Sequence, residues 1–236
     1  MNEQHIASAY DRDLEAIQAM IIKMGGLVEE AILDGSKSLE TRDTELAEKV
    51  RAGDQAVDDL EERINDESAR TIALRAPVSK DLRIILSVLR LAASLERVGD
   101  YAKNIAKRTS VLAELRTIPG TDATLRRMAR AVQIMLKDTL DAFIARDADR
   151  AAAVILRDED VDQMYNTLFR ELLTHMMEDP RNITACMHLH FIAKNVERMG
   201  DLVTNMAEQV VYLTTGTKPA DNRPKGDRTS YVTSAE

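Results

Sequence analysis

An internal repeat is the feature of this 236-residue sequence that most constrains its fold. Moving the sequence by 104 residues, or by 101 residues nearer the C-terminus, superposes identical residues of the two halves. The matches are Met24/Met128, Val28/Val132, Arg42/Arg146, Asp43/Asp147, Asp54/Asp158, Val57/Val161, Asp58/Asp162, Glu96/Glu197, Arg97/Arg198, Gly99/Gly200, Asp100/Asp201, Asn104/Asn205 and Ala106/Ala207. Repetition at a fixed spacing indicates that the chain builds one structural unit twice. The join between the two units falls at Pro119-Gly120.

Each unit is predicted to consist of three long helices. Helical periodicity is interrupted at Pro77, Pro119-Gly120 and Pro180, with weaker breaks at 41–43 and 146–147. Aromatic residues make up only 3% of the chain, so its core must be built from Leu, Ile, Val, Met and Ala, most of which favour helices. The predicted helices are 4–38, 43–74, 78–116, 122–145, 147–177 and 181–214.

These helices predict an all-α fold of two tandem, structurally similar three-helix bundles with six long helices. The first bundle is assigned to residues 1–118 and the second to residues 119–215. The last stretch holds Gly, Pro and mixed charge with few apolar residues, so residues 216–236 are predicted to form a flexible tail.

Charge and cysteine content exclude several classes of protein. The net charge of −8 argues against a nucleic-acid binder, which needs a concentrated basic face. The single cysteine, Cys186, rules out an intrachain disulfide and fits a reducing compartment. The charged N-terminus lacks the apolar core of a signal peptide, and no apolar run approaches the roughly 18–20 residues that span a bilayer. We therefore expect a cytoplasmic protein without direct membrane insertion, recruited to the inner face of the membrane by its partners.

Pairs of acidic residues four positions apart distinguish the repeat. Eight such pairs occur, and a single pair usually belongs to a solvated helix face. Only four recur at matching positions: Asp54/Asp58 with Asp158/Asp162, and Glu96/Asp100 with Glu197/Asp201. Like charges one turn apart repel by about 0.2–0.5 kcal/mol, and a glycine inside a helix costs about 0.8–1 kcal/mol relative to alanine. Gly99 and Gly200 lie within two of these pairs, so both halves contain the same unfavourable local arrangement.

Counting from the turns places the four acids of each half at one height. Asp58 and Glu96 are each 19 residues from Pro77, and Asp54 and Asp100 are each 23 residues from it. In the second half the matching acids are centred between residues 179 and 180. Antiparallel helices packed at the usual separation of about 8–10 Å would then bring four carboxylates together in each half.

The faces of the third helix suggest that these acids interrupt packing surfaces. One predicted apolar stripe leads into Glu96 and Asp100, and a second stays apolar throughout. The first stripe is Leu82, Ile85, Leu86, Leu89 and Ala93, and the second is Ile84, Val88, Leu91, Leu95, Val98, Ala102 and Ile105.

Four carboxylates at a partly dry helix pair need protons, basic groups or metal ions. One interpretation is a salt-bridged seam, with Lys103, Arg97 and Arg198 as the basic partners. The other is a metal site, because all-oxygen donors suit Mg²⁺, Ca²⁺, Mn²⁺ or ferric iron and do not suit structural zinc. Gly99 and Gly200 would admit either an ion or a closely packed helix.

Other candidate sites are weaker. Cys186 and His190 share a helix face, and His190 occupies the position of Leu89 in the first half, which predicts an interface histidine. No Glu has a His three residues later, so the di-iron carboxylate pattern is absent. The sequence also lacks a phosphate-cradling glycine-rich loop and a nucleophile elbow.

The segment APVSKDLRIILSVLRLAASLERVGDYAKNIAKR, residues 76–108, resembles the most characteristic segment of the PhoU family. The tandem repeat, the two acid-x-x-x-acid motifs in each half and the chain length are similar too, over about residues 4–215. One departure is that DLR at 81–83 is matched by NIT at 182–184 in the second half.

The resemblance implies two similar three-helix bundles and a non-enzymatic role. It also implies multinuclear metal sites on the duplicated acids, which here are Asp54, Asp58, Glu96, Asp100, Asp158, Asp162, Glu197 and Asp201. PhoU-like proteins couple the high-affinity phosphate ABC transporter to a membrane sensor histidine kinase. They restrain the phosphate-starvation response and phosphate uptake when phosphate is plentiful, and they are commonly dimers.

The sequence therefore predicts a metal-bearing signalling adaptor that represses phosphate-starvation signalling. Its expected partners are the transporter ATPase subunit, the phosphate-sensing kinase and a second copy of the chain. Two alternatives remain at this point: a carboxylate-bridged di-metal helical-bundle enzyme, and a metal-free helical adaptor for another transporter.

Overall fold

Helices account for nearly all of the computed structural model, which describes residues 2–217 and 219, with side chains from residue 10 onward. The helices are α1 (Asn2–Thr41), α2 (Thr44–Arg75), α3 (Lys80–Ala113), α4 (Thr121–Ala145), α5 (Ala148–Leu156), α6 (Asp158–Glu178) and α7 (Ile183–Thr215). A single 3₁₀ turn at Pro180–Asn182 precedes α7. The predicted all-α class is confirmed. Apart from residues 216, 217 and 219, the predicted tail lies outside the described residues.

At the two weaker breaks, 41–43 and 146–147, the following helix begins with the same aspartate cap. The Asp43 carboxylate accepts a hydrogen bond of 2.9 Å from the backbone N–H of Leu46, and Asp147 accepts one of 2.9 Å from Arg150. Each aspartate therefore satisfies a free N–H group at the start of α2 or α5. The preceding residues, Arg42 and Arg146, have left-handed φ angles of 56° and 54°. The repeat thus extends to the backbone conformation at these turns.

The prediction of one continuous helix over 147–177 is wrong. Arg157 separates α5 from α6, and its N–H bonds to the carbonyl of Val154 at 3.0 Å in a tightened turn. The Arg157 guanidinium also donates to Asp138 on α4 at 2.7 Å. Gly53, at the matching position of the first half, lies inside the uninterrupted α2. The backbone before the first duplicated acid therefore differs between the two halves. Asp54 lies inside a continuous helix, whereas Asp158 begins a new one.

The two bundles share one hydrophobic core. Helices α1, α2 and α3 pack together, as do α4, α5, α6 and α7, and the bundles meet through α1 against α4 and α3 against α7. One contiguous cluster of buried apolar side chains extends through both halves. Ile118, in the connection before Pro119-Gly120, is 2% exposed and belongs to that cluster. The boundary between residues 118 and 119 stays a prediction.

Polar contacts show that the helices at this interface run antiparallel. They are Gln133 to Glu29 (2.7 Å), Arg42 to Asp122 (3.3 Å), Arg126 to Glu40 (3.0 Å), Arg90 to Gln209 (3.1 Å) and Arg108 to His188 (3.2 Å). The beginning of α3 therefore lies beside the end of α7, and the end of α3 lies beside the beginning of α7. This register sets Glu96 and Asp100 at about the height of Asp201 and Glu197. Within the described residues, no helix combines the length and hydropathy needed to cross a bilayer.

Candidate functional site

The four duplicated acids of the first half come together between α2 and α3. Burial raises the pKa of Asp58, and the neighbouring charge of Asp54 raises it further. Burial also raises the pKa of Glu96, with a further contribution from Asp100. Lys103 contacts both Asp54 and Asp100, and the charges of these two aspartates act on Asp58 and Glu96, so the acids of α2 and α3 lie at about one height, as the count from Pro77 predicts. We call Asp54, Asp58, Glu96 and Asp100 the first carboxylate cluster.

Lys103 is the cation of the first carboxylate cluster. Its ammonium forms an ion pair with the buried Asp54 and lies 3.7 Å from Asp100. The hydrogen bond to Asp54 raises the pKa of Lys103. Lys103 was one of the predicted basic partners, whereas Arg97 is exposed and has no carboxylate within 4 Å in the described part of the chain. One ammonium thus pairs with two of the four carboxylates.

We call the matching acids of the second half, Asp158, Asp162, Glu197 and Asp201, the second carboxylate cluster, and all of them except Asp201 are deeply buried. Asp158 is 2% exposed and Asp162 and Glu197 are each 5% exposed, whereas the acids of the first cluster other than Asp54 are half-buried. Deep burial of several carboxylates requires compensation by protons, cations or hydrogen bonds.

Lys194 supplies a cation to the second cluster, and sequence reasoning missed it. Its ammonium lies 2.8 Å from Glu197 and 5.0 Å from the centre of the Tyr165 ring. The predicted partner Arg198 is exposed and forms no ion pair among the described residues. The available signal was the spacing, because Lys194 stands three residues before Glu197 and so on the same helix face. The lysines of the two clusters therefore occupy positions that do not match in the repeat.

The two glycines pack differently. A methyl group placed on Gly200 would lie 2.9 Å from Oδ1 of Asp158, which is too close for the carboxylate to stay in place. A methyl group on Gly99 would make ordinary contacts, 3.4 Å from Val57 and 3.6 Å from Asp54. Gly200 thus allows α6 to approach α7 closely, whereas the packing of α2 on α3 does not require Gly99.

The acids lie on a surface that differs from the predicted one. The stripe from Ile84 to Ile105 is buried throughout, as predicted. The stripe that leads into Glu96 is only partly a packing face, because Ile85 is fully buried whereas Leu86 is 47% exposed and Ala93 is exposed.

The clusters fit a hard cation in chemistry but not in their present arrangement. Every donor is a carboxylate oxygen, which hard cations prefer. However, no group of three or more His, Cys, Asp or Glu residues in the described chain lies close enough together to hold a metal ion. The geometry favours a salt-bridged carboxylate seam, and metal binding at these eight residues stays a prediction that requires their side chains to rearrange.

His190 lies at a helix interface, as its match to Leu89 predicts. Its ring stacks on Tyr165 at 6.1 Å and tilts against Phe169 at 5.3 Å, measured between ring centroids. Burial and then the charge of Lys194 lower the pKa of His190. The nearby Cys186 is buried, and burial raises the pKa of its thiol. These features describe packing side chains rather than ligands.

Comparison with known proteins gives one consistent result. The PhoU domain matches residues 21–109 and 125–210. A Rhizobium meliloti protein named as a homolog of the phosphate-specific transport system accessory protein PhoU is 44% identical and aligns over 98% of each chain.

Two solved structures resemble the whole fold. The crystal structure of PhoU from Pseudomonas aeruginosa has a TM-score of 0.86 and 38% identity, covering 88% of this chain and 100% of that one. The crystal structure of the phosphate transport system regulatory protein PhoU from Streptococcus pneumoniae has a TM-score of 0.82 and 30% identity, covering 89% and 99%. These names describe accessory and regulatory proteins, in agreement with the prediction that the chain is not an enzyme. Because the domain matches both halves and the likeness extends over nearly the full length, the chain belongs to the PhoU family.

Proposed function

We propose that this chain is a phosphate-signalling adaptor. It couples a high-affinity phosphate ABC transporter to a sensor histidine kinase, and it represses the phosphate-starvation response and phosphate uptake when phosphate is plentiful. The observation that carries this proposal is the likeness over 98% of both chains to a protein named for the phosphate-specific transport system. In this role the chain acts in the cytoplasm as a homodimer, recruited to the membrane by its partners.

A groove between α1 and α4 supports a role in binding partners. It has a volume of about 870 Å³ and an apolar floor of Leu33, Ala131 and Ile134. Its rim contains Lys37, Arg127 and Arg130, none of which has a carboxylate within 4 Å in the described part of the chain. The groove therefore suits an amphipathic partner helix whose apolar face is bordered by acidic residues.

Co-purification tests the adaptor proposal. The full-length protein is expected to retain the transporter ATPase and the kinase from cells grown at high phosphate, and to retain less of them at low phosphate. R127E/R130E should weaken capture of at least one partner about tenfold, because it reverses the charge of the groove. The control R63E/R170E makes the same charge change at two exposed arginines outside the groove. Equal capture by both double variants would refute the assigned surface, and no capture by the wild type would refute the adaptor role.

We further propose that hard, oxygen-preferring cations such as iron, magnesium, manganese or calcium bind at the two carboxylate clusters. Each cluster holds four carboxylates and one lysine, so a bound cation would supply the charge neutralisation that the lysine gives only in part. Lys103 and Lys194 equally support the metal-free alternative, in which the seams are complete without ions.

Elemental analysis of the purified protein separates these alternatives. The wild type is expected to retain metal after dialysis, and D100N/D201N is expected to retain less. The control E62Q/D66N removes an exposed acidic pair with no counterpart in the second half. Equal metal content in the wild type and D100N/D201N would refute the metal sites and favour the salt-bridged seam.

A further inference from the structure

A small cavity lies where the beginning of α3 meets the end of α7, away from both carboxylate clusters. Its volume is about 100 Å³, and it is lined by Arg83, Leu86, Ser87, Arg90, Gln209 and Tyr212. We infer that this cavity is a binding site for a small tetrahedral oxyanion, with inorganic phosphate as its ligand. The inference goes beyond the proposed adaptor function, because it concerns a different site and needs no partner.

The charge of the cavity points to an anion. Arg83 and Arg90 stand seven residues apart, about two helical turns, and both line the cavity. Neither has a carboxylate within 4 Å in the described part of the chain, and no acidic residue lines the cavity. Guanidinium groups bind phosphate oxygens through pairs of N–H donors.

The two arginines are held in place before any ligand arrives. The Arg83 guanidinium lies 5.3 Å from the centre of the Tyr212 ring. It also lies against Gly216, where a side chain would come within 2.5 Å of its Nη1 atom. Arg90 donates to Oε1 of Gln209 at 3.1 Å, which leaves the Gln209 amide nitrogen to donate elsewhere. A receptor whose donors are already fixed loses less conformational freedom on binding.

Ser87 provides an independent sign of a missing partner. It lines the cavity, is 1% exposed, and its hydroxyl has no hydrogen-bond partner among the described residues. A buried hydroxyl without a partner is unfavourable, and a ligand oxygen would satisfy it after rotation about the Cα–Cβ bond.

The size of the cavity restricts the ligand. Sites for drug-sized molecules usually measure about 300–1,000 Å³. A cavity of about 100 Å³ therefore admits an ion of five heavy atoms but not a nucleotide.

The second half of the repeat lacks the same arrangement. The matching residues are Arg83/Thr184, Ser87/His188 and Arg90/Phe191. There Arg108 lies 3.2 Å from His188 and stacks over Phe191 at 4.5 Å. The Arg108 guanidinium at that end of the interface therefore already contacts His188 and Phe191. The departure of NIT from DLR in the sequence thus coincides with the loss of the anion site.

Calorimetric titration of the full-length, EDTA-treated protein with inorganic phosphate tests the inference. We expect one ion per chain and at least a tenfold loss of affinity in R83Q/R90Q. The matched control is R63Q/R97Q, which removes two exposed arginines outside the cavity. S87A should weaken binding while leaving the arginines in place, and circular dichroism establishes that each variant is folded. Absence of binding to the wild type, or equal binding by R83Q/R90Q, would overturn the inference.

Two further titrations separate this cavity from the carboxylate clusters and the free ion from its esters. D100N/D201N should bind phosphate like the wild type, because the carboxylate clusters are not part of this site, and loss of binding would refute the assignment. A phosphate monoester should bind more weakly than inorganic phosphate, and tighter binding would refute the free ion as ligand. These titrations contain no transporter or kinase. Absence of phosphate binding would therefore not contradict the adaptor proposal, and loss of partner capture would not contradict the anion site.

Discussion

Whether a carboxylate of the first cluster stabilises the fold depends on its distance from Lys103. Asp54 is paired with that lysine, whereas burial and the charge of Asp54 act against ionisation of Asp58. The same residue type therefore has opposite effects on stability one helical turn apart.

We expect D58N to raise the free energy of unfolding of the metal-free protein by about 0.5 kcal/mol at neutral pH, because it removes repulsion between like charges. The folded-state pKa of Asp58 is raised, so the repulsion develops as pH rises through that value and is absent at acidic pH, where Asp58 is protonated. The gain should therefore disappear on acidification.

D54N should instead lower the free energy of unfolding by about 1 kcal/mol, because it leaves the partly exposed Lys103 without its main partner. Urea denaturation in EDTA measures both variants. A loss of stability in D58N would contradict this account of the cluster.

The glycine pair offers a second comparison at the residue scale. G99A should raise the free energy of unfolding by about 0.5–1 kcal/mol through helix propensity, since the added methyl makes ordinary contacts. G200A should lower it by about 1 kcal/mol, because the methyl displaces the buried Asp158 carboxylate. Thermal unfolding of both variants beside the wild type provides the measurement. Equal shifts in the same direction would show that the two helix pairs are packed alike.

At the scale of helices, the sequence predicts where the acids lie along the helices better than it predicts whether a helix is continuous. The hairpin register follows from counting residues to a proline, so the first carboxylate cluster could be predicted from the sequence alone. The break at Arg157 could not, because apolar periodicity continues across it and the contact from Arg157 to Asp138 joins different helices. Lys194 was missed for another reason: its match in the first half is Ala93, so comparison of the repeats conceals it.

Asp138 is expected to stabilise the break between α5 and α6. Burial raises the pKa of Asp138, but hydrogen bonds from Arg150 and Arg157 outweigh burial and leave the pKa below its ordinary value. This stabilisation is present above the ordinary aspartate pKa and is lost as pH falls through the lowered one.

D138N should therefore lower the free energy of unfolding by about 1–2 kcal/mol at neutral pH, and by progressively less in acid. D141N is the control, because Asp141 contacts Arg150 but not Arg157 and is more exposed. Denaturation curves at several pH values test the pair, and a pH-independent loss in D138N would contradict the electrostatic explanation.

At the scale of the whole molecule, one core joins the two bundles, so we expect them to unfold together. Ile118 lies in the connection between them and is 2% exposed. I118A should lower the free energy of unfolding by about 2–5 kcal/mol through the lost burial and the cavity left behind.

Circular dichroism reports both bundles, and pulsed labelling of the buried Cys186 thiol reports the second alone. Both signals should shift together in I118A and remain unchanged in L74A, which truncates a side chain that is 64% exposed. Exposure of Cys186 at a lower urea concentration than the loss of helix would show instead that the bundles unfold separately.

Helices α3 and α7 form the anion cavity, and each also contributes two acids to one carboxylate cluster. Arg83 and Glu96 are thirteen residues apart on α3, which is about 20 Å along the helix axis. Because α3 is one continuous helix, any movement of α3 along the axis of α7 would displace Arg83 and Glu96 by the same distance. Any axial shift of α3 at the anion cavity would thus reach the level of Glu96 and Asp201 undiminished, without any part of the chain melting.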